Sequence, residues 1–345
     1  MTSNQEEFYL RKRTLKNNAI QYIVKYGFLL IVSIFFGNSN CQTIAVQYDK
    51  RNQIDKFLIG NCTYIEWQYD QTGNRQLHEI KGGTSLSAKV YLQGAYNTSN
   101  GLLNDNIREA TLIPIEEPYA SLGLSHLRDG GGEKTDFSVF STTGNDAVVD
   151  WVFVELRDKN DNEAVITTRS ALVQRDGDIV DYDGVSPVRF INTCPADFYV
   201  VIRHRNHLSV MTNATMTLTE TPTTVVDFTD PSLQTWGNHA QREVNGIRMM
   251  WSGNGNGDDL VVYQGSGTDI SPITVTVFTD PNNVLFDFSF PSPGYELSDY
   301  NMDGVTIYQG ANTDVTPITL TVFTHPLNIT FDFSFPVREQ LPENY

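Results

Sequence analysis

The fold class the sequence predicts is mainly β: an antiparallel β-sandwich over 85–219, then a small duplicated loop module over 241–345. Three observations predict it. Runs rich in Val, Ile, Tyr, Phe and Trp recur at short spacing as KVYLQGAY, VVDWVFVEL, AVITTRSALVQ and FYVVIRHR. Between them stand TTGND, RDKNDNE, RDGDIVDYDG and NTCPAD, all turn chemistry. The C-terminal part then repeats itself at a 45-residue period, Tyr263 matching Tyr308, Pro272 matching Pro317 and Phe288 matching Phe333.

The bulk numbers bound the function. A chain of 345 residues suggests two domains or three small ones, and only 19% charged residues argues against wholesale disorder. The net charge of −17 argues against nucleic-acid binding, because phosphate recognition needs a basic surface. An acidic excess serves solubility, or it serves divalent cations; composition leaves both open.

The first element, 1–42, reads as an export signal. Arg11, Lys12, Arg13, Lys16 and Lys25 precede GFLLIVSIFFG, an apolar run of h-region length and too short to span a bilayer comfortably. Removing it takes away five basic and two acidic side chains and leaves −20, on a mature chain expected to carry no membrane span. GNSNC places Asn38 and Asn40 where a lipoprotein signal wants Leu and a small residue, so Cys41 is not expected to be lipidated. The chain is expected to be secreted or cell-surface. In that oxidising compartment Cys62 and Cys194 could pair, or remain two buried thiols. Closing so long a loop contributes on the order of 4–5 kcal/mol in the chain-entropy model.

A lead segment, 43–84, precedes the sandwich. In DWVFVELRD, Trp151, Phe153 and Glu155 alternate with Val152, Val154 and Leu156, so the strand is largely apolar on both faces and belongs centrally. About seven such strands without a long helical period make a sandwich. The stretch 220–240, with its Pro and Thr, reads as a connector. After it, ITVTVF alternates as a strand would. Yet Ser271-Pro272 and Thr316-Pro317 set an N-cap hydroxyl before a helix-starting Pro, and Ile318, Val322 and Phe323 could share one helical face. The short helix is the reading adopted.

The chemistry lies in the loop that opens each copy. Calcium takes six to eight oxygen ligands, and an EF-hand loop supplies them from alternate positions with Gly at the sixth. DYNMDGVTIYQG offers Asp299, Asn301 and Asp303, then Gly304 and the Val305 carbonyl. Gly310 stands where the closing carboxylate should be, so Asp314 is the natural substitute. The first copy, NGNGDDLVVYQG, offers Asn254, Asn256, Asp258, the Leu260 carbonyl and Asp269. There Asp259 must accept a positive φ in place of glycine, and a weaker site is expected. The bland alternative is a pair of Gly/Asn/Asp turns that bind nothing.

The paired loops resemble dockerin-type calcium repeats over roughly 246–345. That resemblance implies two packed loop–helix units, calcium-dependent folding and a protein partner of the cohesin kind. The sequence departs from the pattern at the twelfth position and in the strand-like VLFDFSF and ITFDFSF insertions. Separately, residues 88–240 resemble a haemagglutinin-like segment of large exported Bacteroidetes proteins, through KVYLQGAYN, GNDAVVDWVFVELRD, RSALVQRDGDIVDYDG and FYVVIRHRNHLSVMT. That likeness implies an envelope or secreted location.

Other constellations are weaker. RDGDIVDYDG reads as a hairpin turn. His204 and His207, three apart in a strand-like run, should face opposite ways and not chelate one metal. Glu116 and Glu117 should also face apart, unlike the facing acids of a glycosidase. HEIKG lacks the second His of a zincin, and no nucleophile elbow or phosphate loop occurs. Trp67, Tyr96, Trp236 and Trp251 could stack on sugars, or pack internally. The expected function is therefore a non-catalytic exported protein whose calcium-stabilised module mediates attachment or adhesion. The alternative is a carbohydrate-binding accessory protein.

Overall fold

The structure is a computed structural model that describes residues 10–15, 19–26, 29–36, 40–48, 53–59 and 62–342. Two compact units divide the chain, one of residues 1–84 with 190–195, the other of 85–189 with 196–345. In the first, seven strands pair in sequence order as an antiparallel meander: β1 Leu10–Leu15, β2 Ala19–Tyr26, β3 Leu29–Phe36, β4 Asn40–Tyr48, β5 Ile54–Ile59, β6 Thr63–Tyr69 and β7 Arg75–Lys81. Residues 1–9, 16–18, 27–28 and 37–39 of the expected export signal lie outside the described residues, and its apolar run supplies β3. A signal is read on the nascent chain, before any sheet forms. Cys62 and Cys194 are joined by a disulfide with Cα atoms 5.4 Å apart, so the pairing, not the two-thiol alternative, describes them.

The second unit is built on a nine-stranded sheet. Its members are β8 Thr84–Lys89, β11 Val148–Asp158, β12 Asp161–Gln174, β13 Asp178–Val180, β14 Val188–Phe190, β15 Ala196–His204, β16 His207–Met211, β17 Met216–Leu218 and β18 Thr224–Asp227; a small pair, β9 Tyr96–Asn97 and β10 Leu102–Leu103, precedes β11. The order is β14-β8-β13-β12-β11-β15-β16, with β17 also on β15 and β18 parallel to β8. Ser85 pairs with Thr219, just past β17, so the sheet curls back toward its own first strand. The mainly β, largely antiparallel prediction holds, with one curled sheet taking the place of two stacked ones. β11 is the central strand expected, buried from Val148 to Arg157. Two of its three charged residues there answer each other, Arg157 to Glu155 at 2.7 Å.

The connector 220–240 is not a free linker. Thr224–Asp227 is β18 of the sheet, and Phe228 behind it is fully buried. Proline and threonine punctuate this stretch, but Val225 and Val226 have the β-branched shape a ladder accepts. The hairpin of β19 Gln241–Val244 and β20 Ile247–Met250 follows, and then the repeats. RDKNDNE spans the turn between β11 and β12, and the RDG that opens RDGDIVDYDG is the turn between β12 and β13; the DIV that follows, read as part of one hairpin turn, is β13 itself.

A short helix, α1, spans Asn106–Glu109. Each repeat holds a ten-residue helix, α2 Ile270–Thr279 and α3 Val315–Thr324. The sequence places the prolines at the first helical position, but each helix begins two residues earlier, with Asp269 and Asp314 at the N-caps. Proline is tolerated there because first-turn N–H groups have no intrahelical partner. VLFDFSF and ITFDFSF, expected as strands, are tight turns instead. Asn283 donates to the Val277 and Asp287 carbonyls and accepts from the Asp287 N–H, and Asn328 does the same at Val322 and Asp332.

The repeats exchange strands. Leu260–Val261 of the first pairs with Val337–Arg338 at the end of the second, and Val305–Thr306 of the second pairs with Ser292–Pro293 at the end of the first. Their shared core contains Ile273, Val277, Ile318 and Val322, along with Leu208 from β16. Neither repeat can bury its apolar face alone, and the pair is one piece with the sheet.

Candidate metal centre

The two loops are backbone copies of each other. Positive φ recurs at matched positions, 69° at Gly257 and 58° at Met302, 73° at Gly267 and 57° at Asn312. Asp259 takes φ 63° where Gly304 takes 86°, as the sequence required. Gly304 is fixed by packing too, since a Cβ there would lie 2.9 Å from Leu112.

Side chains hold the copies in matching ways. Asp258 accepts from the Leu260 N–H at 3.1 Å and Asp303 from the Val305 N–H at 3.0 Å. Asn256 donates to Gly267 O at 3.0 Å, Asn301 to Asn312 O at 2.7 Å. Asp269 accepts from the Val262 N–H and Asp314 from the Ile307 N–H, both at 2.8 Å. Asp314 also accepts from the Tyr300 and Asn301 N–H groups, which brings it against the Asp299 end of the loop.

The copies differ at the ends where ligands are expected. Asp299 accepts from the Asp303 and Gly304 N–H groups. Its counterpart Asn254 is buried, and its Oδ1 has no hydrogen-bond partner; neither has Oδ1 of Asp269. A buried polar atom left without a partner costs roughly 1–3 kcal/mol. Between the loops stands Tyr300, fully buried, its hydroxyl donating to Asp269 O at 3.0 Å. Gly255 is its counterpart, and a Cβ there would lie 2.3 Å from the Tyr300 hydroxyl oxygen. Only one tyrosine fits on the axis relating the copies.

Electrostatics set these aspartates apart. Burial, with the Asp258 charge nearby, pushes the Asp269 carboxyl up to about 8. Burial and the neighbouring Asp299 push Asp314 up to about 8 as well. Asp299 rises to about 6 by burial, opposed by the Arg205 guanidinium, and burial raises Asp303. Carboxyls packed together out of water resist ionising, and a bound cation reverses that. These residues fit a hard cation: carboxylates, amide oxygens and orphaned oxygens, with Leu260 and Val305 opening the two-residue strands. Asp299, Asp303 and Asp314 are not already drawn into one tight shell. Among the described residues, a different group has three donor atoms all within 4.8 Å of one another. A cleft of about 280 Å³ lined by Asn254, Asn256 and Asp259 gives solvent a route to the first loop.

The loops hang on the β15–β16 hairpin. Asn206 donates to the Leu297 and Asp299 carbonyls, and Arg205 donates to the Glu296 carbonyl. His204 and His207 do not point to opposite faces. The chain reverses between them, so they are cross-strand partners with Nδ1 atoms 3.0 Å apart. The partners constrain the tautomers: the Gly94 N–H donates to His207 Nε2, so the His207 proton sits on Nδ1, with Asn206 Oδ1 at 2.9 Å and His204 Nδ1 at 3.0 Å as its acceptors, and His204 Nε2–H donates to Asp150. Burial lowers the pKa of both rings, which favours their neutral forms. Asp150 also takes Arg205 Nε at 2.9 Å and the Tyr295 hydroxyl. Sequence periodicity could not find this network, because a two-residue turn resets the facing rule.

The four aromatics offered for sugar stacking form no exposed platform. Trp251 is buried, and Trp67, Tyr96 and Trp236 are half-buried, with Tyr96 against Tyr91 at 4.8 Å. Glu116 and Glu117 do face apart, Glu116 exposed and Glu117 buried. No protein-family model, curated protein or solved structure matches the chain. What it does must be read from its own residues.

Proposed function

We propose that this is an exported, non-catalytic protein whose C-terminal repeat pair binds calcium in two loops and serves attachment to a protein partner. One observation carries the calcium reading: the matched residues Asp269 and Asp314 are fully buried, with carboxyls pushed up to about 8. Unpartnered Oδ1 atoms on Asn254 and Asp269 add to it. Calcium suits the donor set better than magnesium, which demands rigid octahedral geometry and keeps its waters. The Cys62–Cys194 disulfide accords with an oxidising exterior, where calcium is plentiful.

Attachment draws support from the repeat turns. Val284, Leu285, Phe286, Leu327, Ile329 and Phe331 are all exposed, from 53% to 86%. Exposed apolar side chains grouped along each turn in this way mark a contact surface. A net charge of −17 disfavours an anionic lipid surface, so a protein partner is the occupant. The carbohydrate reading has no comparable support. The test is a thermal melt of the full chain in calcium, in magnesium and in chelator. Calcium should raise the melting temperature by mass action, and Asp303→Ala should reduce that rise. Identical melts in calcium and chelator would defeat the proposal.

A further inference from the structure

A second cluster of ionisable groups stands apart from the loops, under the long segment between β10 and β11. Residues 115–117 and 133–135 run side by side, with the Glu117 N–H donating to Glu133 O and the Thr135 N–H to Ile115 O. This sets Glu117 and Glu133 next to each other, with side chains 3% and 2% exposed. The loop between them is fastened to β12, where the Leu127 N–H donates to Thr168 Oγ1 and the Thr168 N–H to Leu127 O. That fastening swings His126 inward, its ring edge-on to Phe153 at 5.1 Å. One donor atom from each of Glu117, His126 and Glu133 then lies within 4.8 Å of the other two.

Ordinary hydrogen bonding does not account for the group. Glu117 Oε2 is occupied by the Tyr119 and Ala120 N–H groups and Ser170 Oγ, but its Oε1 faces His126 Nε2 at 3.1 Å without forming a hydrogen bond. Glu133 Oε2 takes the Gly131 N–H, while its buried Oε1 has no hydrogen-bond partner. Neither nitrogen of His126 has one. Arg169 is the nearby cation, yet its Nε is 3.7 Å from Glu133 Oε1 and makes no hydrogen bond; its other nitrogens go to Asp181 and the Asp129 carbonyl. One oxygen of each buried carboxyl group and an imidazole nitrogen converge with lone pairs unspent. Buried charge of this kind is paired or coordinates a metal.

We propose that Glu117, His126 and Glu133 hold one transition-metal dication of the zinc class, which clips the loop 118–132 to the sheet. Imidazole with carboxylate is a zinc-type donor set, and calcium has no use for the nitrogen. Ligands about 2.1 Å from zinc need to approach one another only to a little over 3 Å, close to the His126–Glu117 separation seen. The site is thus chemically orthogonal to the calcium loops.

The experiment uses the full chain at saturating calcium, so the loops are silent. Cobalt(II) is added as an optical stand-in for zinc, followed by displacement with zinc. The expected result is one cobalt per chain with strong low-symmetry visible bands, removed by one equivalent of zinc, and a zinc-induced melting shift of several degrees. Glu133→Gln should weaken cobalt at least tenfold and His126→Ala should abolish the bands. Unchanged bands in both variants, or none in the wild type, would overturn the assignment. Zinc-edge absorption on the wild type needs no variant: one imidazole among oxygens is expected, and sulfur or several imidazoles would overturn it as well.

Discussion

Replacing Asp269 by Asn separates a buried cation site from an acidic turn, because the sign of its effect depends on calcium. Asp269 keeps one hydrogen bond, from the Val262 N–H to Oδ2, and its Oδ1 has none. The amide oxygen of Asn can keep that bond, with the NH2 in the orphaned place. In the cation-free protein the carboxyl, raised from 3.8 to about 8, holds its proton far more tightly folded than unfolded. Stability from this group is therefore full below about pH 4 and is lost as pH climbs to about 8. At ~1.4 kcal/mol per tenfold change in proton affinity, ionising Asp269 in the empty fold costs up to about 6 kcal/mol. Relaxation and water entry reduce that, and half of it still moves the melting temperature by roughly 5–10 °C. In chelator at pH 8, Asp269→Asn should therefore melt higher than wild type, and at pH 4 the two should coincide. In calcium at pH 7.5 the order should reverse, because the variant has lost a charged ligand. A variant that melts lower than wild type under all three conditions would refute the reasoning.

Four further outcomes follow from the same contacts. Gly255→Ala should destabilise by about 1–3 kcal/mol through its clash with the Tyr300 hydroxyl, and Tyr300→Phe should relieve part of that loss in a double-mutant cycle measured by urea melts. Asp150→Asn should cost about 3–5 kcal/mol by denaturant unfolding, since it strands the Arg205 guanidinium in a fully buried setting. Asp303→Ala should weaken one calcium site and spare the other in a titration, because Asp258 occupies the matched place in the first loop. Reduction of Cys62–Cys194 should lower the stability of the N-terminal unit by about 2–5 kcal/mol, seen as an earlier transition in a reduced calorimetric scan.

What the sequence disclosed was whatever chemistry is local. The candidate loop residues fall within a short stretch, so the alternate Asp and Asn positions and the positive φ at Asp259 could be read along the chain. The strands around Trp151 were legible for the same reason, since period-two patterning reports burial directly. Errors came where the chain reverses or meets itself. FDFSF alternates like a strand, but Asn283 and Asn328 wrap it into turns. Strand periodicity sets His204 and His207 on opposite faces, and the hairpin between them abolishes that rule. Glu117, His126 and Glu133 have no motif spacing at all, and only the fastening of Leu127 to Thr168 brings them together. Gly255 and Tyr300 held a usable clue, because a tyrosine matched with a glycine between otherwise similar copies signals one side chain on a shared axis.

The most direct measurement is a calorimetric calcium titration of the full chain at pH 7, repeated in two buffers of different ionisation enthalpy. Two calcium ions per chain are predicted, with roughly one to two protons released, since Asp269 and Asp314 are mostly protonated before the ion enters. Calcium uptake without proton release would place the ion elsewhere, and no binding at millimolar calcium would leave the two loops as turns.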